Sequence, residues 1–264
     1  MPGGSYARVN GLDMYYERHG QGRPTVLLHG AMGTIESCFA GLLPRLAAGR
    51  EVIAVEFQAH GHTPDADRPL TYPGLGADVA ALVRHLDIAP ADIVGYSMGG
   101  AVGVEVAVRH PALVRRLVAA GGTSYRPDGM HPEMIEAFAE GPPPDDAFDG
   151  TPWQEAYARV APDAGGWRGL VAKVNDMDTT FTGWTDEEIA AIAAPTLIVV
   201  GDADIVRPEH AVEMFRLLGG GVVGDAHPLP PARLAMLPGT THVGMLDEVD
   251  WLASMITRFL DEPD

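Results

Sequence analysis

The sequence predicts an α/β fold, in which a mainly parallel sheet is covered by helices on both faces. Short apolar runs, typical of buried strands, alternate along the chain with segments whose apolar residues recur at helical spacing. One of these runs, residues 196–200, is almost wholly apolar, as expected for a strand that is buried on both of its faces.

The predicted elements follow one another from the N-terminus. Residues 6–19 contain two alternating segments on either side of Asn10-Gly11, a pair typical of a hairpin, here expected at the sheet edge. An apolar helical face over residues 35–46 is interrupted by Pro44, which is expected to restart the helix. Further strands are expected at residues 25–28, 52–55, 92–95, 113–120, 196–200 and 232–237, and further helices at 75–86, 208–218 and 251–260.

Residues 125–193 interrupt the alternation of strands and helices. This stretch has no strand pattern, but it contains three consecutive prolines at 142–144 and the tryptophans Trp153, Trp167 and Trp184. We therefore expect a helical cap (lid) inserted into an α/β core that is formed by residues 1–124 and 194–264. Residues 218–231 are rich in turn formers and are expected to form a surface loop.

Composition and charge exclude several functional classes. The chain has 18 Lys and Arg against 36 Asp and Glu, a formal net charge of −18, and such a field repels nucleic acids and anionic membrane surfaces. The single cysteine, Cys38, cannot form an internal disulfide, and neither a secretory signal nor a membrane-spanning run is recognisable. We expect a cytoplasmic protein that acts on a small molecule, of an oligomeric state that the sequence does not indicate.

Gly95-Tyr96-Ser97-Met98-Gly99 has the form G-x-S-x-G and directly follows a predicted strand. A nucleophile on a tight strand-to-helix turn needs small neighbours, and the next helix directs its N-terminal amides at the anion that forms on attack. The alternative is a helix start rich in small residues, since this motif alone often arises by chance. The valines at 102, 104, 106 and 108 alternate as in a strand, but we expect a helix that is buried all round.

A serine nucleophile needs a base, and the base needs a group that orients it. Gly201-Asp202-Ala203-Asp204 ends one predicted strand, and His242 follows another. Because the carboxyl ends of parallel strands meet at one edge of a sheet, we expect Ser97, an aspartate of this pair and His242 to converge.

A second glycine-containing turn, His29-Gly30-Ala31-Met32-Gly33, follows the predicted strand 25–28. Its glycines allow the chain to turn back so that the Ala31 amide faces Ser97. Together with the Met98 amide, this predicts an oxyanion hole with two donors. A phosphate-binding loop is the competing interpretation, but the glycine and lysine spacing that such loops require is absent.

These motifs resemble those of α/β-hydrolase-fold enzymes, and the resemblance covers essentially the whole chain. It is carried by His29-Gly30, residues 57–62, the Ser97 motif, residues 201–204 and residues 238–242. It implies an α/β-hydrolase fold with a cap domain after the sixth strand, no cofactor, and Asp204 rather than Asp202 as the triad acid. The family's Asp-x-Arg-Gly-His-Gly loop is altered, with Glu56 near the aspartate position and Gln58-Ala59 in place of Arg-Gly.

The resemblance implies a serine hydrolase of carboxylic esters or lactones, similar to bacterial esterases and lactonases. Ser97 would attack the carbonyl carbon, His242 would accept the proton, and Asp204 would orient His242. The alternatives are a cofactor-free perhydrolase or a C–C bond hydrolase with the same triad, or a non-catalytic small-molecule-binding protein of this fold. Haloalkane dehalogenases and epoxide hydrolases carry an aspartate where Ser97 stands.

Substrate contacts are expected from residues close in sequence to these motifs and from aromatic residues of the cap. Met32, Trp153, Trp184 and Met245 are the predicted substrate-binding residues. The cap residues Phe138, Phe148, Trp167 and Phe181 would either line the pocket or pack the cap onto the sheet. His60-Gly-His62 does not match the binuclear lactonase pattern H-x-H-x-D-H, so no metal site is expected.

Overall fold

The computed structural model describes residues 4–263, apart from the side chains of Phe138 and Ala139. Within this range, eight strands form one sheet with the order β1-β2-β4-β3-β5-β6-β7-β8. The strands are β1 (Ser5–Val9), β2 (Leu12–His19), β3 (Arg23–Leu28), β4 (Arg50–Val55), β5 (Ala91–Tyr96), β6 (Val114–Ala120), β7 (Thr196–Ala203) and β8 (Ala232–Thr241). The helices are α1 (Ile35–Phe39), α2 (Leu42–Ala47), α3 (Tyr72–His85), α4 (Met98–Arg109), α5 (Pro132–Glu140), α6 (Pro152–Val160), α7 (Trp167–Thr179), α8 (Asp186–Ala190), α9 (Pro208–Leu217) and α10 (Val249–Leu260).

The N-terminal hairpin lies at one edge of the sheet, as predicted. Asn10 and Gly11 connect β1 and β2 with φ angles of 48° and 83°, which suits the two central positions of a tight hairpin turn. β2 pairs antiparallel with both β1 and β4, and all other neighbouring strands are parallel.

Both faces of the sheet are buried, because successive residues of the central strands belong to two different apolar clusters. Leu28 in β3 and Val200 in β7 pack with residues of α3, α4 and α9 on one face. Leu27 and Val199 pack with residues of α1, α2 and α10 on the other. This two-sided burial explains the almost wholly apolar β7 sequence.

α4 is buried along most of its length, which confirms the helix predicted against the alternating valines. Residues 98–107 are all buried, because α4 packs against α3 as well as against β5 and β6. Because these residues leave no face of the helix exposed to solvent, an amphipathic pattern is not expected in this helix.

The segment between β6 and β7 contains helices α5 to α8 and, in the part of the chain that the structure describes, no strand of the sheet. Trp167, Leu170 and Val174 of α7 join the same apolar cluster as the residues of α3 and α4. The insertion therefore packs over the α3–α4 side, and its status as a separate cap domain stays a prediction. No helix within residues 4–263 combines the length and apolar character needed to cross a bilayer.

Candidate active site

Ser97 lies between β5 and α4 in a conformation that few non-glycine residues adopt. Its φ and ψ angles are 54° and −120°, and its amide donates to the Ala120 carbonyl oxygen at 2.8 Å. The turn is so tight that a Cβ atom at Gly95 would lie 2.1 Å from the carbonyl oxygen of Gly99. A Cβ atom at Gly99 would likewise lie 2.2 Å from the carbonyl oxygen of Leu28, so both glycines of the motif serve the steric purpose that the sequence predicted.

Ser97, His242 and Asp204 form one hydrogen-bonded chain. Each residue directly follows a strand, and the strands β5, β7 and β8 end at the same edge of the sheet. Ser97 Oγ lies 2.9 Å from His242 Nε2, and His242 Nδ1 lies 2.8 Å from Asp204 Oδ1. Since a carboxylate only accepts hydrogen bonds, His242 carries its proton on Nδ1, and Nε2 is free to accept the proton of the serine hydroxyl.

The two aspartates that follow β7 have different environments. Asp204 is buried, and its Oδ1 also accepts the amide of Ile205 at 2.7 Å. Asp202 is exposed and accepts the amide of Thr240 at 3.2 Å, which joins the ends of β7 and β8. The structure thus places Asp204 against His242 and gives Asp202 a local bonding role.

The turn at 30–33 lies beside Ser97. The Gly33 amide donates to the Gly30 carbonyl at 3.1 Å, and Met32 has a φ angle of 59°. Ala31 and Met98, the predicted oxyanion donors, both line the cavity that contains Ser97. Met98 is the first residue of α4, where amides have no carbonyl partner within the helix.

Two buried histidines, His29 and His60, support this turn and the neighbouring loop. His60 Nε2 accepts the Met32 amide at 3.2 Å, while its Nδ1 donates to the Gln58 carbonyl at 2.9 Å. His29 Nε2 accepts the Phe57 amide at 3.2 Å. Burial lowers the pKa of His29 to about 3 and that of His60 to about 4, so both rings are neutral near neutral pH. This structural role of His60 was not predicted, although residues 57–62 are among those that carry the family resemblance.

His62 has a different partner from His60. Its Nδ1 lies 2.9 Å from Glu56 Oε2, and this hydrogen bond raises the pKa of the His62 imidazole. The Glu56 carboxylate also accepts the Ile35 amide at 3.1 Å. Residues 4–263 contain no group of three or more His, Cys, Asp or Glu side chains arranged to hold a metal ion.

Two cavities meet at Ser97 and His242. The larger has a volume of about 340 Å³ and lies between the sheet edge and the insertion. The smaller has a volume of about 150 Å³. Other residues that line the larger cavity include Tyr72, Met130, Ile135, Asp178, Phe181 and Val206. Those that line the smaller one include Met32, Cys38, Phe148, Trp153, Val243 and Leu246.

Two of the predicted substrate-binding residues lie beside Ser97, and two do not. Met32 and Trp153 line the smaller cavity. The structure places Trp184 away from Ser97: its indole donates to Glu105 Oε2 at 2.6 Å, and it lines a separate cavity with Arg109. Met245 also lies away from both cavities, since its side chain is fully buried in the apolar cluster under α10.

The aromatic residues of the insertion divide between lining and packing. Phe148 lines the smaller cavity and Phe181 the larger. Trp167 is buried and packs against Tyr157, with ring centroids 5.4 Å apart. The side chain of Phe138 lies outside the part of the chain that the structure describes.

Residues 25–255 match the alpha/beta hydrolase family. The chain belongs to this family. The hydrolase is 25% identical over 286 residues to the putative carbamate hydrolase RutD of Azorhizobium caulinodans, covering 98% of this chain and 99% of that protein. It is 28% identical over 253 residues to the pimeloyl-acyl-carrier-protein methyl ester esterase of Neisseria meningitidis, covering 89% and 92%. The sn-1-specific diacylglycerol lipase ABHD11 of Xenopus tropicalis is 37% identical, but over only 39% of this chain and 32% of the lipase.

Solved structures confirm the predicted α/β-hydrolase fold. The serine hydrolase CarC, involved in carbazole degradation, superimposes with a TM-score of 0.75 at 24% identity, covering 98% of both chains. The enol-lactonase of Burkholderia xenovorans LB400 superimposes with a TM-score of 0.72 at 23% identity, covering 97% of this hydrolase and 100% of that chain. At these identities the likeness concerns the fold alone.

Proposed function

We propose that this hydrolase cleaves carboxylic esters or lactones through Ser97, His242 and Asp204. The observation that carries the proposal is the unbroken chain of hydrogen bonds from Ser97 Oγ to His242, 2.9 Å, and from His242 to Asp204, 2.8 Å. Such a chain makes a serine hydroxyl nucleophilic, because the imidazole accepts its proton while the carboxylate stabilises the resulting imidazolium.

The reaction would run in two halves. In the first, Ser97 Oγ attacks the carbonyl carbon while His242 Nε2 takes the hydroxyl proton, and the oxyanion accepts hydrogen bonds from the Ala31 and Met98 amides. Collapse of this intermediate breaks the bond to the leaving oxygen, which receives the proton from His242, and leaves an acyl-enzyme. In the second half, His242 takes a proton from a water molecule that attacks the acyl carbon. Collapse of this second intermediate breaks the bond between the acyl carbon and Ser97 Oγ, His242 returns the proton to Ser97 Oγ, and the acid product leaves.

The cavities and the relatives support an ester or lactone substrate. Ser97 and His242 lie where the two cavities meet, so the acyl and leaving portions of an ester have separate places on either side of the reacting carbon. One full-length relative is a methyl ester esterase, and a protein of the same fold is an enol-lactonase. Water, the second substrate in this scheme, needs no cofactor.

A fluorophosphonate probe tests the proposed nucleophile. We expect the wild-type protein to be labelled, labelling to disappear in Ser97→Ala, and labelling to persist in Ser254→Ala, since Ser254 is an exposed serine on α10. Turnover of p-nitrophenyl esters of graded chain length, with acyl-homoserine lactones alongside, should fall by at least about 10³-fold in Ser97→Ala. Labelling that survives in Ser97→Ala contradicts the proposal. A wild-type protein that neither reacts with the probe nor hydrolyses any member of the panel favours a binding role.

A further inference from the structure

The larger cavity contains a carboxylic acid that the proposed mechanism does not use. Asp178, near the end of α7, lines this cavity together with Ser97 and His242. Its Oδ1 accepts a hydrogen bond from the hydroxyl of Tyr72 at 3.3 Å, which links α7 to α3. Within residues 4–263, the Asp178 side chain forms no ion pair with a Lys, Arg or His.

Asp178 is therefore a carboxylate without a counterion at the pH where serine hydrolases work. Burial raises its pKa to about 6, while the hydrogen bond from Tyr72 favours the ionised form. Above about pH 7 the side chain is mainly ionised. A charge held in a largely apolar cavity is costly unless an opposite charge or further hydrogen-bond donors reach it. A positively charged group bound in the cavity would supply this opposite charge.

Two aromatic rings line the same cavity as the Asp178 carboxylate. Tyr72 and Phe181 both line the larger cavity, and their ring centroids are 5.0 Å apart with planes at 62°. Trp184 packs against both rings, at 6.0 Å from Tyr72 and 5.4 Å from Phe181, and so fixes their positions. The faces of aromatic rings carry negative electrostatic potential and attract cations, most strongly where water is excluded.

The other described residues that line the cavity include no lysine or arginine that would compete with a bound cation for Asp178. Among the described residues that line it, the titratable groups are Tyr72, Asp178 and His242, and none is a lysine or arginine. A substrate with a carboxylate or phosphate tail would meet Asp178 as a like charge. The net charge of −18 acts in the same direction at long range, because it draws cations toward the protein and repels anions.

We propose that Asp178, Tyr72 and Phe181 form a specificity site for a positively charged nitrogen, so that the preferred substrates are esters carrying a protonated amine or a quaternary ammonium group. Asp178 and the two rings contact the charged group, whereas Ser97, His242 and Asp204 act on the ester bond. The inference rests on the proposed ester hydrolysis and names its substrate class.

Matched pairs of charged and neutral esters test this inference. In the first pair the charge is on the acyl portion: p-nitrophenyl 4-(trimethylammonio)butanoate against p-nitrophenyl 5,5-dimethylhexanoate. In the second pair it is on the alcohol portion: butyrylcholine against 3,3-dimethylbutyl butanoate. The members of each pair have the same shape and differ by one charge. We measure kcat/KM for each at about pH 8, where a carboxyl of pKa about 6 is ionised.

The wild-type enzyme should prefer the charged member of at least one pair by about tenfold or more. Asp178→Asn, which keeps the shape of the side chain, should remove most of this preference, measured as the ratio of kcat/KM for the charged ester to kcat/KM for the neutral ester. Tyr72→Phe keeps the ring and removes the hydroxyl, so it should reduce the preference less. Asp176→Asn is the matched control, because Asp176 is exposed and lies two residues earlier on the same helix.

Three outcomes overturn the inference: no preference for the charged member in either pair, an equal change of preference in Asp176→Asn and Asp178→Asn, or a preference that survives in Asp178→Asn. Hydrolysis of the neutral esters reports separately on the proposed function. If no ester is hydrolysed, calorimetry with pentyltrimethylammonium decides. Binding to Ser97→Ala that is lost in Ser97→Ala/Asp178→Asn supports the cation site, and absence of binding to Ser97→Ala contradicts it.

Discussion

The phenol hydroxyl of Tyr96 donates a hydrogen bond to the main-chain carbonyl of His242, over 2.8 Å. Tyr96 is the last residue of β5, directly before Ser97, so this bond joins the strand that carries the serine to the loop that carries the histidine. The two rings also lie against each other, with centroids 5.6 Å apart. Tyr96 is thus a positioning residue for His242.

Tyr96→Phe should reduce kcat by about fivefold with little change in KM, because it removes one hydrogen bond worth about 1 kcal/mol while the ring stays packed. Steady-state kinetics on a p-nitrophenyl ester measure both parameters. Tyr157→Phe provides the control, since the Tyr157 hydroxyl bonds the Asp163 carbonyl within the insertion, at 3.0 Å. Equal kinetic effects of the two variants would show that Tyr96 does not act through His242.

Gly122→Ala should separate Asp204 from His242. Gly122 has a φ angle of 58°, and a Cβ atom there would lie 2.4 Å from Asp204 Oδ1, the atom that bonds His242. A displaced catalytic group costs about 10²-fold in rate, so we expect a loss of kcat of this order. Gly219→Ala introduces a residue at a φ angle of 86° with open space around it, and thereby controls for backbone strain alone. Full activity in Gly122→Ala would contradict the need for a fixed Asp204.

His60→Ala should affect both stability and rate. It leaves the Met32 amide and the Gln58 carbonyl without their partner, and the unsatisfied buried groups should lower the free energy of unfolding by at least about 2 kcal/mol. Because the same change releases the turn that holds Ala31, kcat should fall by about 10²-fold. Urea unfolding and ester kinetics measure the two effects, with the exposed His85→Ala as control. A variant that loses stability but keeps its kcat would separate His60 from the oxyanion hole.

Acid should destabilise the protein through its buried histidines. His210 is fully buried, its Nε2 accepts the Tyr125 amide at 3.1 Å, and burial lowers its pKa to about 4. The unfolded chain, with an ordinary histidine pKa of about 6.5, therefore binds the proton first as the pH falls. The stability that neutral His210 contributes is complete above about pH 6.5 and is lost between about 6.5 and 4, by roughly 3 kcal/mol.

Free energies of unfolding measured across this pH range test whether protonation of His210 is coupled to unfolding. His210→Gln retains a side-chain acceptor for the Tyr125 amide but cannot titrate, so its stability should fall less steeply than that of the wild type by about 1.4 kcal/mol per pH unit. His85→Gln, at an exposed position, should keep the wild-type slope. Parallel curves for wild type and His210→Gln would show that His210 does not contribute.

The sequence predicted the fold well because each central strand is buried on both faces and each connection from β3 to β8 contains at least one helix. The hairpin at Asn10-Gly11, the buried β7 and the convergence of Ser97, Asp204 and His242 all follow from local patterns combined with the geometry of parallel strands. The parallel strands all end at the same edge of the sheet. Residues that directly follow these strands can therefore be predicted to lie close together, even when they are far apart in sequence.

Contacts that depend on the direction of single side chains were less predictable. Met245 is three residues from His242, yet it belongs to the 3-10 turn Gly244–Asp247, which directs it into the core beneath α10. Trp184 lies behind Tyr72 rather than beside Ser97. Asp178 was missed because an isolated aspartate in a helix normally faces water, and only the packing of α7 over the sheet edge places it in a cavity.

The left-handed backbone of Ser97 has a consequence for how the fold is maintained. Any L-residue at this position shares the crowding between Cβ and the main chain, whereas glycine is free of it. We therefore expect Ser97→Ala to lose the proposed reactivity and keep the crowding, and Ser97→Gly to lose both. We expect the free energy of unfolding of Ser97→Gly to exceed that of Ser97→Ala by about 1 kcal/mol. This difference measures the stability that the protein loses through the backbone conformation that exposes the residue 97 side chain.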